Sequence, residues 1–162
     1  MWWYDRRTLI FGLCALALTG CGFTPVHGTQ GAGGRLQSAV RVQAPDTRPE
    51  QLLIQRIEER LGRGSRYRLS YDLDIRRQEM AVAPTNISTR FNLVGNVTYA
   101  LHPAGADAPL IEGRTTGFTG YSTTDSTVAT SAAERDAHAR LATILADRMI
   151  AHLLAAASDL PE

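Results

Sequence analysis

From Arg66 to Arg76 the chain alternates without a break. Tyr67, Leu69, Tyr71, Leu73 and Ile75 take one set of positions; Arg66, Arg68, Ser70, Asp72, Asp74 and Arg76 take the other. Successive strand side chains point to opposite faces, so a period of two predicts one buried and one wetted face. Strands of that kind suit an antiparallel sheet covered on one side only. A second run repeats the pattern, with Phe91, Leu93, Val97, Tyr99 and Leu101 inward and Arg90, Asn92, Asn96 and Thr98 outward. Between the two, Arg77 to Thr89 reads as a long connection containing Pro84 and Asn86. Connections of about twelve residues or more in compact domains are usually functional or disordered.

Helical patterns supply the cover. Thr47-Arg48-Pro49-Glu50 is a capping box with proline in the first turn, and Leu53, Ile54, Ile57 and Leu61 follow at helical spacing before Gly62. Ser131-Ala132-Ala133-Glu134 is a second such box. The helix it opens is expected to reach Ala157 along a stripe of Ala137, Leu141, Leu145, Met149 and Leu153. Leu36 to Ala44 reads as a first strand, and Leu110 to Ser122 as a weaker last one carrying Gly113, Gly117 and Gly120. The order β-α-β-β-β-α predicts an α+β two-layer sandwich, two helices on one face of a mostly antiparallel four-stranded sheet. This single domain is expected over 36–158, behind a flexible linker over 21–35 that is rich in glycine.

The first twenty residues read as an export signal. Arg6 and Arg7 precede the apolar run Leu9 to Leu18, and Leu18-Thr19-Gly20-Cys21 resembles a bacterial lipobox. The run falls well short of the ~20 residues a permanent membrane span needs. Arg6-Arg7 also resemble a twin-arginine signal, although Asp5 and Thr8-Leu9 fit it only loosely; ordinary secretion accounts for the same charges. Cleavage before Cys21 makes residues 1–20 the signal peptide and Cys21 the lipidated N-terminus. Buried acyl chains contribute about 0.8 kcal/mol per methylene, so several chains anchor stably. Gly22, where an aspartate favours inner-membrane retention, points to the outer membrane.

Removing that segment changes the composition that matters. Of 17 basic and 16 acidic residues, two arginines and one aspartate leave with the signal, so the mature chain is neutral. Of the two cysteines, Cys14 leaves as well and Cys21 is blocked by lipid, so neither a disulfide nor a thiol nucleophile is expected. Every basic residue is arginine, the cation whose planar fork matches phosphate in two places at once.

No catalytic set emerges. His27, His102, His138 and His152 lie in a linker, a turn and one helix, without the i,i+4 spacing of a metal pair. Asp72 and Asp74 share a strand face with Arg66, Arg68 and Arg76, which reads as a solvated ion-pair lattice rather than a carboxylate dyad. Neither enzymatic activity, a metal nor a cofactor is expected. Arg66, Arg68, Arg76, Arg77 and Arg90 lie on these strands or at the ends of their connection. They are candidates for a phosphate- or partner-binding cluster, and equally for ordinary solubilising charge.

The start of the mature chain is more specific. Cys21-Gly22-Phe23-Thr24-Pro25-Val26-His27-Gly28 resembles the opening of alphaproteobacterial lipopolysaccharide-assembly lipoproteins, the LptE family. His27 stands where an aromatic residue is commoner. Tyr121 before a Ser/Thr stretch, then Glu134-Arg135-Asp136-Ala137 at the start of an alanine-rich helix, is similar as well. The resemblance implies a lipoprotein on the periplasmic side of the outer membrane. Such a protein plugs the LptD β-barrel, assists its assembly and takes part in lipopolysaccharide transport to the outer leaflet. It implies LptD and lipopolysaccharide as partners, a membrane anchor, and no nucleic acid. An auxiliary lipoprotein of a periplasmic lipid-transport ATPase system shares the anchor and the α+β domain. A peptidoglycan-binding structural lipoprotein finds no motif.

Overall fold

The computed structural model describes residues 32–82, 88–123 and 126–160. The elements run β1 (Val40–Val42), α1 (Arg48–Leu61), β2 (Tyr67–Val82), β3 (Ser88–Pro103), β4 (Ile111–Ser122) and α2 (Thr127–Ala156), with short 3-10 turns at Ala32–Arg35 and Ala157–Asp159. The sheet order is β1-β2-β3-β4, parallel between β1 and β2 and antiparallel beyond. Both helices cover one face, which is the α+β sandwich that the alternation and the capping boxes predict.

Three expectations shift in detail. The connection expected over 77–89 is mostly strand, because β2 and β3 stay paired from Tyr67 opposite Pro103 to Val82 opposite Ser88. Arg77, Gln78 and Glu79 are exposed and lack apolar alternation, yet the backbone ladder continues regardless of side-chain type. Each arm is 16 residues long, roughly 50 Å. The first strand shrinks to Val40–Val42, because the chain turns at Leu36–Ala39 and the Ser38 N–H donates to the Leu61 carbonyl at 2.6 Å. The long helix starts at Thr127, capped by Ser126, whose hydroxyl accepts from the Ala129 N–H at 3.3 Å. The Ser131–Glu134 box therefore lies inside the helix.

The first capping box forms as expected. Thr47 Oγ1 donates to Glu50 Oε1 at 2.9 Å, and the Asp46 N–H donates to Glu50 Oε2 at 2.8 Å. At the other end Gly62 takes φ 73°, and its N–H donates to the Glu58 carbonyl at 2.8 Å.

The core lies between sheet and helices. Leu53, Ile57 and Leu61 of α1 and Leu141, Leu145, Met149 and Leu153 of α2 meet Tyr67, Leu69, Leu93, Val97, Tyr99 and Leu101 of the strands. α2 settles into a notch formed by Gly95 and Gly117, which are register partners on β3 and β4. A Cβ on Gly95 would stand 2.8 Å from Leu145 Cδ1, and one on Gly117 would stand 3.2 Å from Ile144 Cγ2. The glycines that make β4 look weak in sequence are what let the helix approach. Arg56 and Asp147 join the two helices through bonds of 2.9 and 3.1 Å.

The sheet's two edges are treated differently. On β4, Arg140 donates to the Gly120 carbonyl at 3.2 Å, and Arg148 donates to the Thr116 carbonyl. Eight helix residues rise about 12 Å and four strand residues about 13 Å, so α2 can serve both outward carbonyls together. On the other side β1 pairs with β2 only as far as Leu69, and Gln43 N–H adds one bond to the Leu69 carbonyl at 2.9 Å.

Candidate functional site

The candidate surface is the long β2–β3 hairpin and the sheet face that the helices leave open. Its arginines fall into two groups rather than one. At the root, the Arg66 guanidinium lies 5.6 Å from the Tyr67 ring centroid, and Arg68 Nη2 reaches Asp107 Oδ1 at 3.7 Å. Eight residues further along β2, roughly 26 Å away, Arg76 Nε bonds Asp74 Oδ2 at 2.8 Å. That pair is a piece of the expected ion lattice. Arg77 alternates to the opposite face and lies 5.1 Å from the Phe91 centroid. Phe91 in turn stacks on Tyr121 at 5.5 Å and 23°. Arg90 stands exposed between Ala81 and Ser122. The strands thus bring Arg76, Arg77 and Arg90 toward one end, on both faces, and leave Arg66 and Arg68 at the other.

The open face between them is mixed. Ser70, Asp72, Thr98, Glu112 and Arg114 line a shallow concavity of about 570 Å³. Further along β4, Phe118 is 67% exposed, directly across the ladder from Val94. Sequence reasoning missed this aromatic. The signal was present: counting in twos from Ile111, Phe118 falls with Glu112, Arg114 and Thr116 on the wet face.

The histidines have structural partners. His102 Nδ1 lies 2.8 Å from the Asp107 carbonyl, His138 Nδ1 lies 3.0 Å from the Glu134 carbonyl, and His152 Nδ1 lies 2.5 Å from the Tyr99 hydroxyl. Burial raises the Tyr99 phenol. The Tyr71 phenol is raised by burial and by the carboxylate of Glu50, to which it donates at 3.2 Å. Glu50 itself is held below the ordinary carboxylate range, first by the Asp46 N–H. Among the described residues no group of three or more His, Cys, Asp or Glu could hold a metal. His27 and Cys21, the expected lipidation site, lie outside the described residues.

A surface of this kind is identified by its relatives. The model of the family described as LptE, lipopolysaccharide-assembly, matches residues 37–153. The chain belongs to the LptE family. No curated protein sequence matches it significantly. A crystal structure of a protein described as a lipoprotein from Caulobacter crescentus CB15 is similar at 26% identity and a TM-score of 0.65, covering 81% of this chain and 98% of that one. The rare lipoprotein B of Shewanella oneidensis shares the fold at 16% identity and a TM-score of 0.55, covering 75% and 96%. A minor lipoprotein of Acinetobacter baumannii does so at 16% and 0.54, covering 74% and 91%. Membership makes this LptE-family chain a non-catalytic scaffold lipoprotein of outer-membrane lipopolysaccharide assembly.

Proposed function

We propose that this LptE-family protein is anchored by acyl chains on Cys21 at the periplasmic side of the outer membrane. There it plugs the LptD β-barrel, assists its assembly and contacts lipopolysaccharide on the way to the outer leaflet. The observation that carries the reading is the family match over residues 37–153, which covers all four strands and most of the long helix. The hairpin adds support. Two 16-residue strands whose open face carries exposed guanidinium groups suit a polar lumen, and arginine pairs phosphate bidentately.

We assign Arg66, Arg68, Arg76, Arg77 and Arg90 to contacts with lipopolysaccharide phosphates or with the barrel's lumen. Affinity purification from detergent-solubilised outer membrane tests the partner: a large β-barrel should come down with the chain. An inner-membrane permease in its place would favour the lipid-transport ATPase alternative. Replacing all five arginines by glutamine should weaken binding to lipopolysaccharide or to the barrel, and unchanged affinity for both would remove the assignment.

A further inference from the structure

Past the end of β1 the edge of β2 lies open. The Tyr67 N–H donates to the Ala39 carbonyl and the Leu69 carbonyl accepts from the Gln43 N–H, each at 2.9 Å. Alternate residues of a strand bond to the same side, so Leu73, Ile75 and Arg77 also turn their N–H and carbonyl groups that way. Among the described residues nothing bonds them. Proteins close an edge to strand addition by covering it, by bulges or by bonding its outward groups. β4 has the guanidinium groups of Arg140 and Arg148, and β2 loses its regular register only from Glu79 onward. Among the described residues the stretch Leu73–Arg77 has no such device. Tyr71 separates it from Leu69 and its bond to Gln43, so a strand of about five residues, roughly 17 Å, fits beside it without displacing β1.

We propose, resting on the barrel reading above, that an extended segment of the barrel partner adds to this edge as a further strand beside Leu73–Arg77. A row of unpaired backbone groups specifies an extended peptide, and the side chains along it specify which kind. Leu73 and Ile75 are half-buried against the core, so apolar residues belong opposite them. Asp74 and Arg76 lie on the open face, bonded to each other at 2.8 Å and still substantially exposed. A basic residue opposite Asp74 and an acidic one opposite Arg76 complement them, whereas the reverse order sets like charges across the ladder. The occupant is therefore a short segment of period two, apolar toward the helices and charged toward the open face. Transmembrane barrels are built from alternating segments joined at one side by long loops, so the barrel supplies chain of this pattern. Backbone bonds at this edge hold the sheet in one orientation relative to the barrel, independently of the arginines.

Residue-resolved hydrogen exchange on the full chain, alone and in complex with the co-expressed barrel, tests the pairing. In the free protein the amides of Leu73, Ile75 and Arg77 should exchange fast, while those of Asp74 and Arg76, which face β3, stay protected. Barrel binding should slow the first set roughly tenfold or more and leave the second unchanged. I75P removes one outward N–H and spares the β3 ladder, so it should stay folded by circular dichroism and lower barrel recovery. I75A loses the side chain but keeps the N–H, and should recover far more barrel than I75P. A complex that forms without alternate-residue protection overturns the proposal and leaves the barrel reading standing, as does a folded I75P that recovers as much barrel as I75A. The alternation in the wild-type complex decides even where I75P does not fold. Outward amides already slow in the free chain at high concentration would give the edge to a second copy and equally overturn it. If wild type recovers no barrel, the barrel reading fails and the strand addition with it.

Discussion

Replacing Gly64 by alanine should destabilise the domain more than a glycine-to-alanine change within the sheet. Gly64 lies in the connection from α1 to β2, where its N–H donates to the Val40 carbonyl at 2.9 Å. A Cβ there would stand 2.5 Å from Ala39 Cα, inside any real contact, and the obstructing atom is backbone that cannot rotate away. The connection must retreat by about 1 Å to reach an ordinary 3.5 Å separation. That movement strains the Gly64–Val40 bond and the neighbouring bond from Ser38 to Leu61. Overpacking costs ~1–3 kcal/mol and each weakened hydrogen bond ~1 kcal/mol, so a total of about 3 kcal/mol follows. For a domain of this size that is a fall of roughly 10 °C in Tm. Urea and thermal unfolding followed by circular dichroism read both quantities. G95A is the informative comparison. Its obstructing atoms are the tips of Leu145 and Leu141, which can give way in part, so it should lose about 1 kcal/mol. A G64A loss below ~0.5 kcal/mol, or one smaller than that of G95A, would refute the distinction between backbone and side-chain obstruction.

Glu50 is depressed by its capping bonds, so its contribution is complete above the ordinary carboxylate pKa and disappears as pH falls through the depressed one. E50Q should therefore cost ~1 kcal/mol at neutral pH, and the gap from wild type should narrow in acid, as urea melts at both pH values will show. Phe118 is 67% exposed, so F118A should change stability by less than ~0.5 kcal/mol, while weaker barrel recovery would place the open sheet face against the partner. Removing both edge arginines in R140A/R148A uncovers the Thr116 and Gly120 carbonyls. Light scattering on heating should then show earlier aggregation than in wild type, and an unchanged onset would mean the caps do not protect β4.

Much of the architecture was legible because each layer has its own period. Tyr67 to Ile75 repeats in twos, and Leu53 to Leu61 repeats in turns of a helix, so the covered face of the sheet could be marked residue by residue. What stayed hidden depends on partners distant in sequence. Arg77 to Glu79 belongs to a strand only because β3 returns alongside it. Ser126 rather than Ser131 caps α2, and Ser, Thr and Ala are compatible with either start, so local chemistry could not choose between them. Gly95 and Gly117 weaken two strands when read singly. Their meaning appears once the register sets them side by side beneath Leu145.

The arginines teach the same lesson about function. A chain without lysine and near neutrality suggests that its cations are there for phosphate. Several of them serve the fold: Arg35 bonds the Leu160 carbonyl at 2.5 Å, Arg56 joins the helices through Asp147, and Arg63 bonds Glu58 at 2.7 Å. Arg140 and Arg148 close the β4 edge. An anion-binding role must therefore be sought locally, at the exposed hairpin end where Arg76 and Arg90 are raised on one face and Arg77 on the other. There Arg76 has Asp74 as its partner, and any phosphate must compete with that carboxylate. Competition of this kind makes binding weak, reversible and salt-sensitive, which suits a surface that hands a ligand onward rather than retaining it.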